Sequence, residues 1–144
     1  MENKDSWSEW NETENWGDDE VFSALNKLAE YAYNVAKHVG FHTSKVRFGD
    51  FVSNIHSEVS ELWESYRRNT LNDPCDKAYP MKELGFTPLT CVEEELADIL
   101  IRTLDMAHTL NIDIGNAVKV KSEYNKTRPY RNGGKLVWIA DSKI

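Results

Sequence analysis

Apolar residues recur at spacings of three and four along much of the chain, which is the period of an amphipathic α-helix. Four segments show this pattern: 18–40, 50–68, 92–110 and 114–124. Asp18 or Asp19 is the predicted N-cap of the first helix, and Gly40 ends it. Asp113 is the predicted N-cap of the last helix. Because no other segment has a convincing strand pattern, the sequence predicts an all-α protein, a four-helix bundle.

Three further segments lie outside the periodic regions. Residues 1–17 are polar and acidic apart from three tryptophans, and we interpret them as a mobile arm. Residues 69–91 interrupt the helical pattern with prolines and a glycine, which predicts a long loop containing one helical turn near 81–84. The helical domain therefore covers 18–135, and 136–144 form a C-terminal tail with a short apolar run.

Composition excludes several classes of protein. A chain of 144 residues, 40% of them hydrophobic, suits one folded domain. No apolar run approaches the roughly 20 residues of a membrane span, and the N-terminus lacks the features of a signal peptide, so we expect a cytoplasmic protein without a membrane partner. Cys75 and Cys91 form no metal or disulfide motif and are predicted to be free thiols. A net charge of −7 argues against nucleic acid as a partner.

The charge is distributed unevenly along the chain. Residues 1–20 hold eight acids and one lysine, whereas 119–135 hold six basic residues and one acid. Lys121, Asn125 and Arg128 are separated by four and three residues, so they share one helix face. An ammonium, an amide and a guanidinium suit the oxygens of a phosphate group, although a solvated basic surface would have the same spacing. The basic segment therefore suggests an anionic ligand.

Acidic residues recur on two predicted helices at the spacing that places them on one face. Glu58 and Glu61 form one such pair, and Glu95 and Asp98 form the other. The helix over 92–110 is apolar around most of its circumference, so its acids should be at least half-buried, where isolated charges need a partner. Four carboxylates that meet inside a bundle predict a divalent-cation site for Mg²⁺ or Mn²⁺.

Two alternatives compete with this cation site. The acids can instead form a solvated helix face with ordinary salt bridges, in which Arg102 pairs with Asp98 one turn earlier. A ferritin-like di-iron bundle would need a Glu-x-x-His motif on two helices, which neither acidic pair provides, although His56 and His108 lie nearby in the sequence. Acids and a basic segment in one small protein favour metal-assisted phosphate chemistry.

Two motifs and one longer segment occur in order along the chain: EVSEL at 58–62, EELADILIR at 94–102 and KSEYNKTRPYRNGGK at 121–135. Together they resemble the paired E-x-x-E and E-x-x-D motifs, and the segment after the last helix, of the MazG-like all-α nucleotide pyrophosphohydrolases. Two departures stand out. The connection between the acidic motifs is longer than is usual in that family, and Asn132 stands where relatives often have histidine.

The resemblance implies a MazG-like bundle that hydrolyses a nucleoside triphosphate between its α and β phosphates, giving the monophosphate and pyrophosphate. It implies that four carboxylates bind Mg²⁺, or Mn²⁺: Glu58, Glu61, Glu95 and Asp98. We assign to Glu61 the additional role of the base that takes a proton from the attacking water. The basic segment would hold the phosphates through Lys121, Asn125, Arg128, Tyr130 and Lys135. The base of the nucleotide would stack on an aromatic residue, for which the candidates are Trp63, Phe41, Trp10 and Trp16.

The family's small bundles associate, which implies that this chain forms a homodimer or a homotetramer. The implied role is the removal of unwanted nucleotides, and the substrate class stays open between dCTP-like, dUTP-like, broad-specificity and phosphoribosyl nucleotides. A different class of function also accommodates these residues. In a non-catalytic helical module, the acids would hold a structural cation and the basic segment would dock an acidic partner.

Overall fold

The computed structural model describes residues 19–128, which form five α-helices and no strand. They are α1 (Asp19–His38), α2 (Phe48–Arg67), α3 (Ala78–Glu83), α4 (Cys91–Thr109) and α5 (Ile114–Lys126). The all-α prediction is confirmed for this part of the chain, and the short α3 stands where one helical turn was predicted. The predicted arm and tail lie outside the described residues. No helix between residues 19 and 128 is both long and apolar enough to cross a membrane.

Side-chain caps explain where three of the helices begin. Thr90 caps α4 reciprocally: its side chain accepts from the Glu93 N–H at 3.4 Å, and the Glu93 carboxylate accepts from the Thr90 N–H at 2.8 Å. Asp113 caps α5 as predicted, accepting from the Asn116 N–H at 2.9 Å. The predicted start of α2 was two residues late, because Asp50 occupies the third helical position, from which its carboxylate accepts the Arg47 N–H at 3.0 Å.

Four helices end in the same way, with a left-handed residue just beyond the helix. Asn69 and Asn111 adopt φ values of 59° and 54°, and glycines occupy the equivalent positions after α1 and α3. In each case the next N–H bonds back to a carbonyl five residues earlier, as from Thr70 to Ser65 at 3.0 Å and from Ile112 to Ala107 at 2.9 Å. Asparagine and glycine tolerate this conformation best, so local chemistry sets the helix ends.

Helix α4 lies between α1 and α2, and both pack mainly on it. α5 packs on α1, so the principal contacts form the open series α2–α4–α1–α5. The buried centre at the α1–α4 contact consists of Ala29, Ala32 and Leu104, with Leu25 and Ile114 packed against it. Because alanine side chains are small, the two helix axes can approach closely. The acids predicted to bind a cation lie on the other side of α4, toward α2.

Asn26 joins α1 to the beginning of α5. Its side chain accepts from the Gly115 N–H at 3.0 Å and donates to Asp113 at 2.8 Å. Gly115 lies so close to α1 that a Cβ atom at this position would overlap the carbonyl oxygen of Phe22. The absence of a side chain at Gly115 therefore sets how closely α5 approaches α1.

The connection between α2 and α4 is held by its own backbone. The Cys75 N–H donates to the Leu89 carbonyl at 3.0 Å, and the Cys91 N–H donates to the Asp73 carbonyl at 2.9 Å. These bonds join the beginning and the end of the connection. The chain between them, including α3, therefore forms a closed loop. Cys75 is buried beneath it, and both cysteines are free thiols, as predicted.

One face of the α2–α4 pair is apolar and exposed. On α2 it contains Val59, Trp63 and Tyr66, of which Trp63 is 59% exposed. On α4, Val92 borders the same apolar surface, and Leu96 and Leu100 follow it at intervals of four residues, both about half exposed. A shallow apolar groove of about 310 Å³ lies across this face. Surfaces of this kind mark protein–protein or ligand contacts in folded proteins.

Candidate cation site and adjoining cavity

Three carboxylates meet where α2 packs on α4. The side-chain oxygens of Glu58, Glu95 and Asp98 lie within 4.8 Å of one another. Glu58 and Glu95 are each only 8% exposed. The two helices place them there because one buried face of each helix contains an acid among its apolar residues, as the sequence pattern predicts. Three hard oxygen ligands at this spacing suit a divalent cation such as Mg²⁺ or Mn²⁺.

The electrostatics of the three acids also suit a cation. Burial, followed by the charges of Glu61 and Glu94, raises the pKa of Glu95 to about 7 from an ordinary value of 4.5. Burial and the charge of Glu58 raise the pKa of Asp98 as well. Both pKa shifts mean that the ionised carboxylates are poorly solvated and repel one another. A bound cation would relieve this repulsion, so the donor set fits the ion that the sequence predicts.

Glu61 lies at the edge of this group rather than within it. Its side chain is exposed and accepts a hydrogen bond from Ser57 Oγ at 3.2 Å. It is close enough for its charge to be the largest electrostatic contribution to the raised pKa of Glu95. The structure therefore brings three of the four predicted ligands together and places Glu61 beside them.

Arg102 neutralises one of the three acids across the helix contact. Its Nε donates to Glu58 Oε1 at 3.0 Å. The ion pair between Arg102 and Asp98, which the one-turn spacing suggests, is not formed. The charge of Arg102 lowers the pKa of Asp98, but burial and the charge of Glu58 raise it by more. The guanidinium also lies 5.0 Å from the centre of the Phe41 ring. Arg102 thus binds α4 to α2 and fixes the Glu58 carboxylate.

A cavity of about 260 Å³ opens beside the three carboxylates. One wall consists of the last turns of α2 and the residue that follows it: Glu61, Glu64, Ser65 and Arg68. The beginning of α4 contributes Cys91, Glu94 and Glu95, and the α2–α4 connection completes the lining with Thr70, Asp76 and Lys77. Glu95 therefore belongs both to the carboxylate group and to the cavity wall, which places any ligand in the cavity next to a cation on the carboxylates.

Lys77 is the cavity residue that sequence reasoning missed. Its Nζ lies 3.0 Å from Asp76 Oδ1 and 2.5 Å from Glu94 Oε1. The closeness of these two carboxylates raises the pKa of Lys77. Side-chain atoms of Cys75, Asp76 and Glu94 also lie within 4.8 Å of one another. The ammonium of Lys77 pairs with both carboxylates of this second group. No helical spacing connects Lys77 with Glu94, and the sequence carries no signal for the pair.

The predicted phosphate-binding face of α5 lies away from the carboxylates. Lys121 and Asn125 on α5 and Arg128, two residues beyond its end, are all exposed, and α5 packs on α1. The ammonium of Lys121 lies 4.9 Å from the centre of the Tyr124 ring. Tyr130 and Lys135 lie outside the described residues. Within one chain, the structure does not bring the described part of the basic segment to the cavity.

The two described base-stacking candidates lie in different surroundings. Trp63 is on the exposed apolar face, with its ring stacked on Tyr66 at 5.2 Å between centres, and it does not line the acidic cavity. Phe41 borders a smaller cavity together with His42, Phe51 and Arg102. Trp10 and Trp16 lie outside the described residues. Neither described aromatic residue lines the cavity beside the three carboxylates.

A buried pair of polar side chains lies next to this smaller cavity. His42 Nε2 and Asp105 Oδ1 are 2.8 Å apart, and both side chains are 9% exposed. The Tyr33 ring lies between His42 and His108, at 4.8 and 4.7 Å from their ring centres. The pair joins the α1–α2 connection to α4 over a sequence separation of 63 residues, which no local pattern predicts.

Comparison of the chain with protein-family models, with curated proteins and with solved structures gives no match.

Proposed function

We propose that this protein is a MazG-like, Mg²⁺-dependent pyrophosphohydrolase that cleaves a nucleoside triphosphate between its α and β phosphates and so clears unwanted nucleotides in the cytoplasm. The observation that carries the proposal is the meeting of Glu58, Glu95 and Asp98 beside a cavity that also has basic side chains in its wall. The positions of the two acidic motifs on packed helices, α2 and α4, agree with a MazG-like bundle.

Each acid has a role in this proposal. Glu58, Glu95 and Asp98 would hold Mg²⁺, which when bound supplies positive charge against the phosphate oxygens. Glu61 lines the cavity without belonging to the converging group, so it is free to accept the proton of the attacking water. Arg102 orients Glu58 through the bond across the helix contact. The cavity would hold the substrate beside these groups.

The described residues of the basic segment take part in this reaction only if a second subunit brings them to the cavity. We infer that the protein is a homodimer or a homotetramer and that its exposed apolar face forms a subunit contact. The face runs along both α2 and α4, and its large side chains, among them Trp63 and Leu96, are about half exposed in the single chain. Burying such a surface stabilises an assembly through the hydrophobic effect.

Pyrophosphate release from a panel of canonical and modified NTPs and dNTPs tests the function. Release should require Mg²⁺, stop with EDTA and fall by about a hundredfold or more in Glu95→Gln and Asp98→Asn, because each removes a charge that holds the cation. Glu30→Gln is the matched control, since Glu30 is an exposed acid on α1. The absence of release from every nucleotide, or unchanged release in Glu95→Gln, would contradict the proposal.

The Arg102–Glu58 bond also supports a second candidate, a non-catalytic helical module. In that case the acids are structural, held by Arg102 and by a cation, and the basic face of α5 binds an acidic partner. Such a module would gain thermal stability from Mg²⁺ without hydrolysing any nucleotide. Glu61→Gln separates the two candidates, because it should abolish turnover by the enzyme and leave cation binding by the module unchanged.

A further inference from the structure

The cavity beside the carboxylates has two basic side chains in its wall, Lys77 and Arg68, and neither belongs to the basic segment near the end of the chain. Arg68 is the residue that follows α2, and Lys77 lies in the connection just before α3. Both side chains remain more than half exposed, so their charged ends are accessible from the cavity mouth.

The ion pairs of the cavity leave a particular set of acids without a cation. Glu64 pairs with Arg68 at 2.9 Å, and Lys77 pairs with both Asp76 and Glu94. Among the acids of the lining, only Glu61 and Glu95 have no ion-pair partner within residues 19–128. The acids of the lining that have no ion-pair partner are therefore the predicted cation ligands, and the other three are paired with Arg68 or Lys77.

Both basic side chains retain hydrogen-bond donors for a ligand. Arg68 uses Nε for Glu64, and within the described residues its two terminal nitrogens have no acceptor. The ammonium of Lys77 has three donors and faces two carboxylates, Asp76 and Glu94. An ammonium and a guanidinium that line the same cavity can bind the oxygens of a phosphate group.

The connection that carries Lys77 is fixed rather than loosely attached. Its two ends are joined by the backbone bonds of Cys75 and Cys91, and the Cys75 side chain is buried immediately before Asp76 and Lys77. A basic group held in place before the ligand arrives costs less conformational entropy on binding. The unusual length of this connection therefore has a physical use, because it forms a wall of the cavity.

We propose that this connection is part of the substrate site, and that Lys77 and Arg68 bind the phosphate groups of a nucleotide whose metal ion is held by the neighbouring carboxylates. The inference rests on the proposed function and deepens it, since it assigns phosphate binding to residues of the same chain as the acids. The ligand class is a polyphosphate with its bound divalent cation, and inorganic pyrophosphate is the smallest probe of that class.

Equilibrium binding of inorganic pyrophosphate in Mg²⁺, measured by titration calorimetry, tests the inference. We expect Lys77→Gln to weaken pyrophosphate binding by about tenfold or more and Arg68→Gln to weaken it several-fold, as for the loss of a charged hydrogen bond. Lys77→Arg should retain most of the affinity. Lys82→Gln is the control, because Lys82 is an exposed lysine on α3 in the same connection and does not line the cavity.

Arg68→Gln keeps the test decisive if Lys77→Gln, which leaves buried Glu94 without its partner, fails to fold. Unchanged pyrophosphate affinity in folded Arg68→Gln and Lys77→Gln proteins would overturn the inference, even if the wild type hydrolyses nucleotides. Pyrophosphate binding that depends on Lys77, in a wild type that hydrolyses no nucleotide, would keep the anion site and overturn the proposed function.

Discussion

Glu95 is the residue in which burial, neighbouring charge and candidate chemistry meet. It lies on α4 with both its own helix and α2 around it, and its carboxylate faces the other acids and the cavity. A carboxyl group with a pKa near 7 is half protonated under neutral conditions, whereas a cation ligand must be deprotonated. Proton binding at this residue is therefore coupled to folding and, in the proposed site, to cation binding.

The raised pKa of Glu95 predicts that the metal-free protein loses stability as the pH rises. The folded state binds this proton up to about pH 7, whereas the unfolded state releases it near 4.5. Between these values the folded state holds more protons, so the free energy of unfolding decreases with pH. Urea unfolding in EDTA at several pH values measures the slope, and Glu95→Gln should flatten it. An equally steep slope in that variant would refute the assignment.

Cation binding should have the opposite pH dependence. Because Glu95 must lose its proton to bind Mg²⁺, the apparent affinity should increase with pH up to about 7 and level off above it. Below pH 7 the expected change is about tenfold per pH unit for the loss of one proton. Calorimetric titration with Mg²⁺ in buffers of different ionisation enthalpy should also detect the released proton. An affinity that is constant between pH 5.5 and 8 would count against Glu95 as a ligand.

Arg102 is expected to be important for stability because it compensates the buried charge of Glu58. Arg102→Met should lower the free energy of unfolding of the metal-free protein by about 1–3 kcal/mol, since it leaves a charged acceptor without its donor. Added Mg²⁺ should restore part of the loss. Arg67→Met is the control: Arg67 pairs with Glu64 on the exposed side of α2, and its replacement should change stability by less than about 1 kcal/mol.

At the scale of the helices, the α1–α5 contact depends on the lack of a side chain at Gly115. Gly115→Ala should destabilise the protein by about 1–3 kcal/mol, because a methyl group there would overlap the Phe22 carbonyl and force the two helices apart. Gly49→Ala is the matched control. No atom lies within 4 Å of the added methyl group at Gly49 on α2, so this change should be neutral or slightly stabilising. Thermal unfolding of the two variants compares them directly.

The helices could be predicted because residues close together in the sequence determine where they form and end. Apolar spacing, the Asp113 cap and Gly40 defined their faces and ends, and the acid pairs followed from the same periodicity. α2 begins two residues before its predicted start, because the Asp50 carboxylate accepts the Arg47 N–H from the third helical position and so holds the first turn.

The contacts between elements could not be predicted from spacing. The one-turn spacing offered Arg102 a partner in its own helix, Asp98, but Glu58 on α2 is the more buried acid and accepts from the guanidinium. Lys77 and Asp105 find their partners Glu94 and His42 across long sequence separations, where no periodicity exists. Three of the four predicted acids converge because the helix faces were predicted correctly, while the partners that neutralise them depend on how the helices pack.

At the scale of the whole molecule, the exposed apolar face predicts an assembly that a single charge should disrupt. Trp63→Glu should shift the mass in solution toward the monomer, because it places a carboxylate in the proposed subunit contact. Light scattering after size-exclusion chromatography measures the mass. Tyr31→Glu, a change at an equally exposed aromatic residue on α1, should leave the mass unchanged. A monomeric wild type would contradict the proposed assembly.

Mixing two inactive variants tests whether the site is shared between subunits. Glu95→Gln removes a carboxylate from the cavity, and Arg128→Gln removes a charge from the face of α5. If this face of one subunit completes the cavity of another, some sites in a mixed oligomer combine an intact Glu95 from one subunit with an intact Arg128 from the other. Nucleotide hydrolysis should then reappear on mixing. No recovery in mixtures proven to exchange subunits would confine the reaction to groups of a single chain.

The central position of α4 has a consequence for folding during translation. The helices α1 and α2 leave the ribosome first, yet both pack mainly on a helix that ends at Thr109. At synthesis rates of about 5–20 residues per second, the chain from the end of α1 to the end of α4 takes several seconds to appear. During that interval, the faces of α1 and α2 that pack on α4 do not yet have that helix to pack on, so they can be bound by chaperones that act on polypeptides during translation.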